Sequence, residues 1–271
     1  MIKTHPPAYW AFFVTTAVIV GSFFMASKTE ALDCEAVKAQ YQCPAHKHRL
    51  HLSFDDGVGS VTDKVLDVLK RENIKATFFV MGNKIDCARY STAESQQLCQ
   101  QRRITLQRIK DEGHDIGSHS YNHQRHTTIP TSLMEYNIRK SKALLEPYFT
   151  TNPPVFRLPN GDGWFNQKVK PQTMATVKSE GFEHIGWEMT AYDWNVKFQS
   201  GDQILDNVMG QMCGNGKRGR DGVVLFHDGD HEKEHEGRLF TGNNLERWIP
   251  KMRCAADFVP LLAFKKNLQK R

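Results

Sequence analysis

The feature of this 271-residue chain that most constrains its fold is an alternation of strand-like and helix-like segments over residues 49–268. Short β-rich segments are followed by longer ones whose apolar residues recur at helical spacing. This order predicts a parallel sheet with crossover helices, which can form either a barrel or an open, doubly wound sheet. The sequence contains no internal repeat and no Pro/Gly/Ser-rich linker, so we expect one α/β domain.

The segments can be assigned individually. The predicted strands are 49–54, 76–81, 115–118, 153–157, 184–187 and 222–226. The predicted helices are 61–72, 97–112, 131–149, 167–180, 203–212 and 245–268, the last of them broken at Pro250 and Pro260. Ser132 and Glu135 predict a capping box at the start of the third helix. The polar stretch 228–244 is interpreted as a solvated loop, with a second metal site at His231 and His235 as a minor alternative.

The amino terminus has the pattern of a secretory signal peptide over residues 1–31. A basic start at Lys3 precedes a largely apolar run over residues 8–26, and a short polar stretch then leads to Ala31. We predict cleavage after Ala31. The apolar run is nearly long enough to span a bilayer, so an uncleaved anchor that attaches the protein to a membrane is the alternative.

Six cysteines follow this segment, and an even number behind an export signal favours disulfides in an oxidising compartment. We therefore expect a secreted protein, or one of the periplasm or cell envelope. The spacing alone does not determine the connectivity. Short loops favour the pairs Cys34–Cys43 and Cys87–Cys99, which leaves Cys213 for Cys254.

The net charge of +6 is a mild basic excess. It suits an anionic partner such as a cell wall. The chain has neither a helix dense in Lys and Arg nor a zinc-finger spacing, so no nucleic-acid partner is expected.

Chemically reactive side chains follow the ends of the predicted strands. In a parallel barrel the loops after the strands share one face, so these side chains are expected to converge. They are Asp55, Asp56, His119, His123, Arg157, Asp193, Trp194, His227 and Asp228.

Three of these residues form a candidate metal site. His119 and His123 are four residues apart, which on a helical turn would place both imidazoles on one face. With Asp56 they make a set of two histidines and one carboxylate, typical of an open catalytic metal site. Asp55 should point to the opposite side of the strand and could face a metal-activated water. The alternatives are exposed histidines and an Asp-Asp-Gly turn that caps a helix.

Two further strand ends carry residues suited to amide hydrolysis. His227 follows four apolar residues, and histidine titrates in the range needed to protonate a departing amine. Arg157 can hold a carboxylate in its charged form. Pro159 and Gly161 predict a tight turn whose backbone N–H groups can bind an oxyanion. Taken singly, His227 is more typical of a histidine satisfied at the edge of the core, and the alternative for Arg157 is an arginine that only precedes a loop.

Five segments in this order resemble the polysaccharide deacetylases of carbohydrate esterase family 4, the NodB-homology domain. The segments are Ser-Phe-Asp-Asp-Gly (53–57), His-Ser-Tyr-Asn-His (119–123), Arg-Leu-Pro-Asn-Gly (157–161), Asp-Trp (193–194) and Leu-Phe-His (225–227). The resemblance covers roughly residues 49–262. It implies a distorted (β/α) barrel of about seven parallel strands, and one divalent metal ion, commonly zinc.

The resemblance also implies roles for individual residues. It implies that Asp56, His119 and His123 bind the metal, that Asp55 is the catalytic base and that His227 is the acid. Residues 32–48 are polar and contain two cysteines, so we interpret them as a leader segment tied to the domain. The resemblance implies that residues 49–271 are the catalytic domain of a polysaccharide deacetylase.

Five more residues receive roles from the resemblance alone. Arg157 braces the base and Asp193 orients the acid. The backbone N–H of Asn160 helps to hold the oxyanion, and Trp194 and Leu225 form walls of the acetyl pocket.

The sequence departs from the family pattern at four positions. Ser53 replaces the usual threonine, Val58 the usual proline, and Asn160 a frequent aromatic residue. Thr190 stands where an aspartate often precedes the Asp-Trp pair, which puts part of the network around the arginine in doubt. None of the four removes an implied ligand, base or acid.

The implied reaction is hydrolysis of a linear amide on an N-acetylated glycan, a carbon–nitrogen bond other than a peptide bond. We expect N-acetylglucosamine in peptidoglycan as the substrate, because the chain is predicted to be exported and basic. The alternatives are chitin or chito-oligosaccharide, then acetyl-xylan, and finally an inactive carbohydrate-binding protein.

Overall fold

The computed structural model describes Met1 and residues 32–198, 200–214, 219–229 and 236–264. Apart from Met1, the predicted signal peptide or anchor lies outside these residues. His231 and His235, which were considered as a second metal site, also lie outside them. No helix in the described ranges combines the length and apolar character needed to cross a membrane.

Eight strands in the described part of the chain form one sheet, and every pairing is parallel. They are β1 (His48–Gly57), β2 (Thr77–Val80), β3 (Asp115–Ser118), β4 (Val155–Phe156), β5 (Glu183–His184), β6 (Met189–Thr190), β7 (Gly222–His227) and β8 (Ala256–Phe258). The order across the sheet is β5-β4-β3-β2-β1-β7-β6, with β8 paired to the start of β1. Seven of the strands curl into a half-barrel, so the predicted distorted (β/α) barrel is confirmed.

The central strand β1 sets the orientation of the side chains that matter for the site. Phe54 is in register with Phe78 on one neighbouring strand and Phe226 on the other, and their rings stack at 5.2 and 5.8 Å. Side chains alternate along a strand, so Ser53 and Asp55 face the opposite side of the sheet from these phenylalanines. The aromatic packing on one face thus fixes the register of the polar residues on the other.

Helices lie between successive strands, as the alternation predicted, except between β5 and β6. Those in the described residues are α1 (Cys34–Gln40), α2 (Thr62–Arg71), α3 (Gly82–Ile85), α4 (Ala93–Asp111), α5 (Thr131–Leu145), α6 (Lys170–Ser179), α7 (Gln203–Cys213) and α8 (Glu236–Ala255). In α2, Val65, Leu66 and Leu69 are fully buried. Burying each such side chain stabilises the fold by about 1.5–3 kcal/mol, which is why their spacing was a sound guide.

Several element boundaries differ from the prediction. The last helix, α8, begins at Glu236 and continues through Pro250, so the predicted loop 228–244 is partly helical. The chain then forms β8 where the helix was expected to continue. This strand was not predicted, because three residues are too few to show an alternating pattern. The capping box is also wrong: α5 begins at Thr131, so Ser132 lies inside its first turn and cannot be the cap. The two-residue strand β6 was missed for the same reason as β8.

The disulfides pair all six cysteines, but two predicted pairings are wrong. Cys87–Cys99 is confirmed, whereas the structure contains Cys34–Cys254 and Cys43–Cys213 in place of Cys34–Cys43 and Cys213–Cys254. Cys34 and Cys43 lie at opposite ends of α1, so each reaches a different helix, α8 or α7.

These two bonds attach residues 32–48 to the rest of the domain. They close loops of 220 and 170 residues. In the chain-entropy model, a cross-link that closes a loop of this size stabilises the folded state by on the order of 5 kcal/mol. Val37 and Tyr41 are buried, and the Tyr41 hydroxyl donates to Asp206 at 2.6 Å. The predicted leader is therefore packed as part of the fold.

Candidate active site

The carboxyl ends of the strands open into a cleft of about 490 Å³. Eight of the ten predicted active-site residues line it, which is the convergence expected for loops on one face of a parallel barrel. They are Asp55, Asp56, His119, His123, Asn160, Trp194, Leu225 and His227. The other two, Arg157 and Asp193, are completely buried and contact cleft residues from behind.

Asp56, His119 and His123 form the cluster best suited to bind a metal. Their ligand atoms all lie within 4.8 Å of one another. The Oδ1 atom of Asp56 is 3.4 Å from Nε2 of His119 and 3.3 Å from Nε2 of His123. The Nδ1 atom of His119 is 2.9 Å from the Arg157 carbonyl oxygen, a contact that orients the ring with Nε2 toward the cluster. Two imidazoles and one carboxylate fit a divalent transition metal.

The turn that carries the two histidines is not helical, contrary to the prediction. Ser120 and His123 both have left-handed backbone conformations, with φ of 63° and 60°. These residues turn the chain back so that the two imidazole rings lie 5.1 Å apart. The histidines therefore meet, but through a tight turn and not through one face of a helix.

The two aspartates also break the expected pattern. Strict alternation would send Asp55 and Asp56 to opposite sides of β1, but the register shifts between Asp55 and Gly57, and Asp56 has φ of 67°. As a result, Nε2 of His119 lies within 3.7 Å of an oxygen from each carboxylate. Both aspartates are buried, at 3% and 1% exposure.

Arg157 holds Asp55 in a buried ion pair. Its Nη1 donates to Asp55 and to the Ser53 hydroxyl, both at 2.8 Å, and its other nitrogens donate to the carbonyls of Ile185 and Gly186. Burial raises the pKa of Asp55, and the positive charges of Arg157 and His227 oppose that increase. Removing either partner of such a buried pair typically costs 3–5 kcal/mol.

His227 is held by an equally specific set of contacts. Its Nδ1 lies 2.7 Å from Oδ1 of Asp193, and its backbone N–H donates to Oδ2 of the same carboxylate at 2.8 Å. The hydroxyl of Thr241, on α8, also donates to Oδ2 at 2.8 Å. The three bonds fix the imidazole on the floor of the cleft.

The structure accounts for the departures at Ser53 and Thr190. The Ser53 hydroxyl accepts from Arg157 and donates to the Val224 carbonyl at 2.8 Å, so serine supplies the contact at this position. Thr190 instead pairs with Gln211, whose side chain bonds its backbone N–H and carbonyl. The partners of the Arg157 guanidinium described above do not include residue 190.

The departures at Val58 and Asn160 are also accommodated. Val58 is buried in the main hydrophobic core. Asn160 occupies a left-handed position (φ of 58°) in the predicted tight turn, and Phe165 packs directly over Gly161. Phe165 lines the cleft, so an aromatic side chain is present there although residue 160 is not aromatic.

Sequence reasoning missed four residues that line the cleft: Arg125, Phe165, Trp187 and Tyr192. All four lie in connections that follow strands, and aromatic residues in such loops could have been noted as candidates for sugar contacts. Asp228 was named among the strand-end residues but given no role. Burial raises its pKa to about 7, and it accepts from Thr62 at 2.5 Å.

A parallel half-barrel with an Asp/His/His cluster beside an arginine-bound aspartate defines the class of protein. The chain belongs to the polysaccharide deacetylase family, whose family model matches residues 43–182.

Named relatives are also similar to the chain. It is 30% identical over 168 residues to a peptidoglycan-N-acetylglucosamine deacetylase of Bacillus cereus, and this alignment covers 62% of this chain and 53% of that protein. It is 31% identical over 182 residues to a peptidoglycan-N-acetylglucosamine deacetylase of Listeria monocytogenes, and this alignment covers 66% of this chain and 32% of that protein. The chain thus spans about half the length, or less, of these relatives.

A solved structure shows a similar fold. It is a peptidoglycan N-acetylglucosamine deacetylase in complex with 4-naphthalen-1-yl-N-oxidanyl-benzamide, with a TM-score of 0.60 and 26% identity. The superposition covers 82% of this chain and 89% of that chain.

Proposed function

We propose that the protein is a metal-dependent N-deacetylase that hydrolyses the acetamide of N-acetylglucosamine residues in peptidoglycan. The observation that carries the proposal is the arrangement on the floor of the cleft. Three metal-ligand atoms lie within 4.8 Å of one another beside an aspartate that a buried arginine holds. The names of the relatives support peptidoglycan as the glycan.

Asp56, His119 and His123 would hold one divalent cation, and zinc is our first choice because imidazole and carboxylate donors suit it. When bound, such a cation lowers the pKa of a water ligand and polarises a carbonyl group. The chain's own residues then position the substrate and move the protons.

Asp55 is the base that takes a proton from the attacking water. Arg157 binds its Oδ1, whereas its Oδ2 lies on the His119 side, 3.7 Å from Nε2. Because burial raises the pKa of this carboxyl, the carboxylate is a stronger proton acceptor than an exposed aspartate. The oxygen of the water forms a bond to the acetyl carbon as its proton passes to Asp55.

The remaining steps use other residues in and behind the cleft. The Asn160 backbone N–H stabilises the oxyanion, and Trp194 and Leu225 enclose the acetyl group. The carbon–nitrogen bond then breaks as His227 donates a proton to the amine, while Asp193 stabilises the imidazolium. The products are acetate and the free amine of the sugar.

Export completes the proposal. We infer that residues 1–31 are a signal peptide or anchor, that residues 32–48 are a leader packed against the domain, and that residues 49–271 are the catalytic domain of a secreted or envelope protein. Three disulfides in a chain of this size support an oxidising compartment.

The test is acetate release by the purified protein from peptidoglycan, chito-oligosaccharides and acetyl-xylan, with and without a chelator. We expect release from peptidoglycan that the chelator abolishes and added zinc restores, with about one metal ion bound per chain. A preference for one of the other glycans would make that glycan the substrate in place of peptidoglycan. Full activity in a metal-free protein, or no release from any glycan, would overturn the proposal.

A further inference from the structure

Arg125 is a cationic side chain in the cleft for which the chemistry proposed above has no use. It lies two residues after His123 and lines the same cleft. Its side chain is exposed. Among the described residues, no hydrogen bond or ion pair to its guanidinium is found, in contrast to the guanidinium of Arg157.

The backbone that carries Arg125 is firmly held. The next residue, His126, is 4% exposed, and its Nε2 lies 2.9 Å from the Ser120 hydroxyl. Thr127 donates both its backbone N–H and its hydroxyl to Asp162 at 2.8 Å. The Arg125 side chain is therefore presented from a fixed position, and less entropy is lost when it binds a ligand.

The charges of the floor do not require Arg125. Asp55 already has Arg157 at 2.8 Å, and Asp56 faces the two imidazoles of His119 and His123. A guanidinium beside the cleft without a partner is suited to an anion supplied by the ligand. Its planar fork matches a carboxylate, which it can bind through two parallel hydrogen bonds.

We propose that Arg125 binds a carboxylate on the glycan beside the N-acetyl sugar that is deacetylated, so that anionic glycans are preferred over neutral ones. This inference rests on the proposed function. In peptidoglycan the carboxylate can come from the lactyl group of a neighbouring muramic acid residue or from the stem peptide. Chitin has neither group.

The experiment compares steady-state kinetics on three substrates of matched glycan length. These are intact peptidoglycan fragments, the same fragments with their peptides removed by an amidase, and chito-oligosaccharides. Removal of the peptide leaves a free lactyl carboxylate, so the first two substrates distinguish the source. The variants are Arg125→Gln, Arg125→Lys, and Lys168→Gln as a control that removes an exposed positive charge outside the residues lining the cleft.

For Arg125→Gln we expect KM to rise about tenfold on a carboxylate-bearing glycan, with kcat within about twofold, and no change on chito-oligosaccharides. Arg125→Lys should recover part of the loss because it keeps the charge without the fork. Lys168→Gln should match the wild type.

Three results would overturn the inference: equal losses on all three substrates, no loss on any, or a wild-type preference for the neutral glycan. Each presupposes an active wild-type protein. A wild-type protein that releases no acetate from any of the glycans would instead refute the proposed function.

Discussion

The floor and the rim of the cleft differ in how firmly their side chains are held. On the floor, Asp55, Arg157 and Asp193 are at most 3% exposed, and each makes hydrogen bonds to neighbouring groups in the described structure. On the rim, Phe165 and Trp194 are 59% and 53% exposed. The floor is therefore preorganised for chemistry, whereas the rim consists of side chains that can adapt to a ligand.

This difference teaches where specificity resides. A substitution on the floor removes a group whose position is fixed by its neighbours, so it should change kcat. A substitution on the rim removes solvent-exposed area that can contact the substrate, so it should change KM. Variants in the two regions therefore test whether catalysis resides on the floor and substrate binding on the rim.

Of the variants that compare the two regions, the one with the largest effect should be at the floor residue His227. We expect His227→Ala to lower kcat about 10²–10⁴-fold, because the departing amine loses its proton donor while the rest of the floor is intact. Acetate release under substrate saturation is the measurement. The exposed residue His46 provides the control, since His46→Ala should leave kcat unchanged. A kcat close to that of the wild type in His227→Ala would remove His227 from the mechanism.

On the rim, Phe165→Ala should have a smaller effect. Phe165 packs over Gly161 and beside Trp187, with ring centroids 5.3 Å apart, and it presents the rest of its ring to the cleft. We expect KM to rise by up to about tenfold, from lost apolar contact, with kcat nearly constant. Leu262→Ala, at another exposed apolar residue outside the cleft lining, should change neither constant. A fall in kcat larger than the rise in KM would erase the distinction between floor and rim.

The smallest effect on turnover at neutral pH should come from His51, which lies on β1 away from the cleft lining. Its pKa is lowered from 6.5 to about 4 because it is buried, despite its contact with the Val259 carbonyl. Between these values the unfolded chain binds a proton at His51 that the folded chain does not. The neutral, buried His51 therefore contributes its full stability to the fold above pH 6.5, and this contribution is lost as the pH falls toward 4.

The change amounts to about 3 kcal/mol for this residue. Denaturant unfolding at pH 7 and pH 5 should show a decrease in the free energy of unfolding that is smaller in His51→Gln than in the wild type. The same decrease in both proteins would show that His51 does not contribute. Because the fold weakens at acidic pH, kinetic comparisons of floor and rim belong above pH 6.5.

Much of the floor could be predicted from the sequence because it depends on strand ends. Asp55, Asp56, His119 and His227 lie just after the predicted strands, and the carboxyl ends of parallel strands meet on one face. The predicted convergence is observed even where the predicted local geometry was wrong, as at His123, which reaches the cluster through a tight turn with left-handed residues.

The rim and the disulfides could not be predicted in the same way. Phe165 reaches the cleft because it packs over Gly161, and no periodicity in the sequence signals that contact. Cys34 and Cys43 pair with cysteines 220 and 170 residues away because α1 lies against α8 and near α7. Such contacts are set by tertiary packing, whereas the sequence pattern reports only local structure.

The most direct test of the proposed chemistry is acetate release by Asp55→Asn, measured together with metal content and circular dichroism. The asparagine keeps the size of the side chain and can still accept from Arg157, but it cannot take a proton. We expect turnover to fall about 10³-fold or more in a folded protein that binds metal as the wild type does. Near-normal acetate release by the folded variant would contradict the assignment of Asp55 as the base.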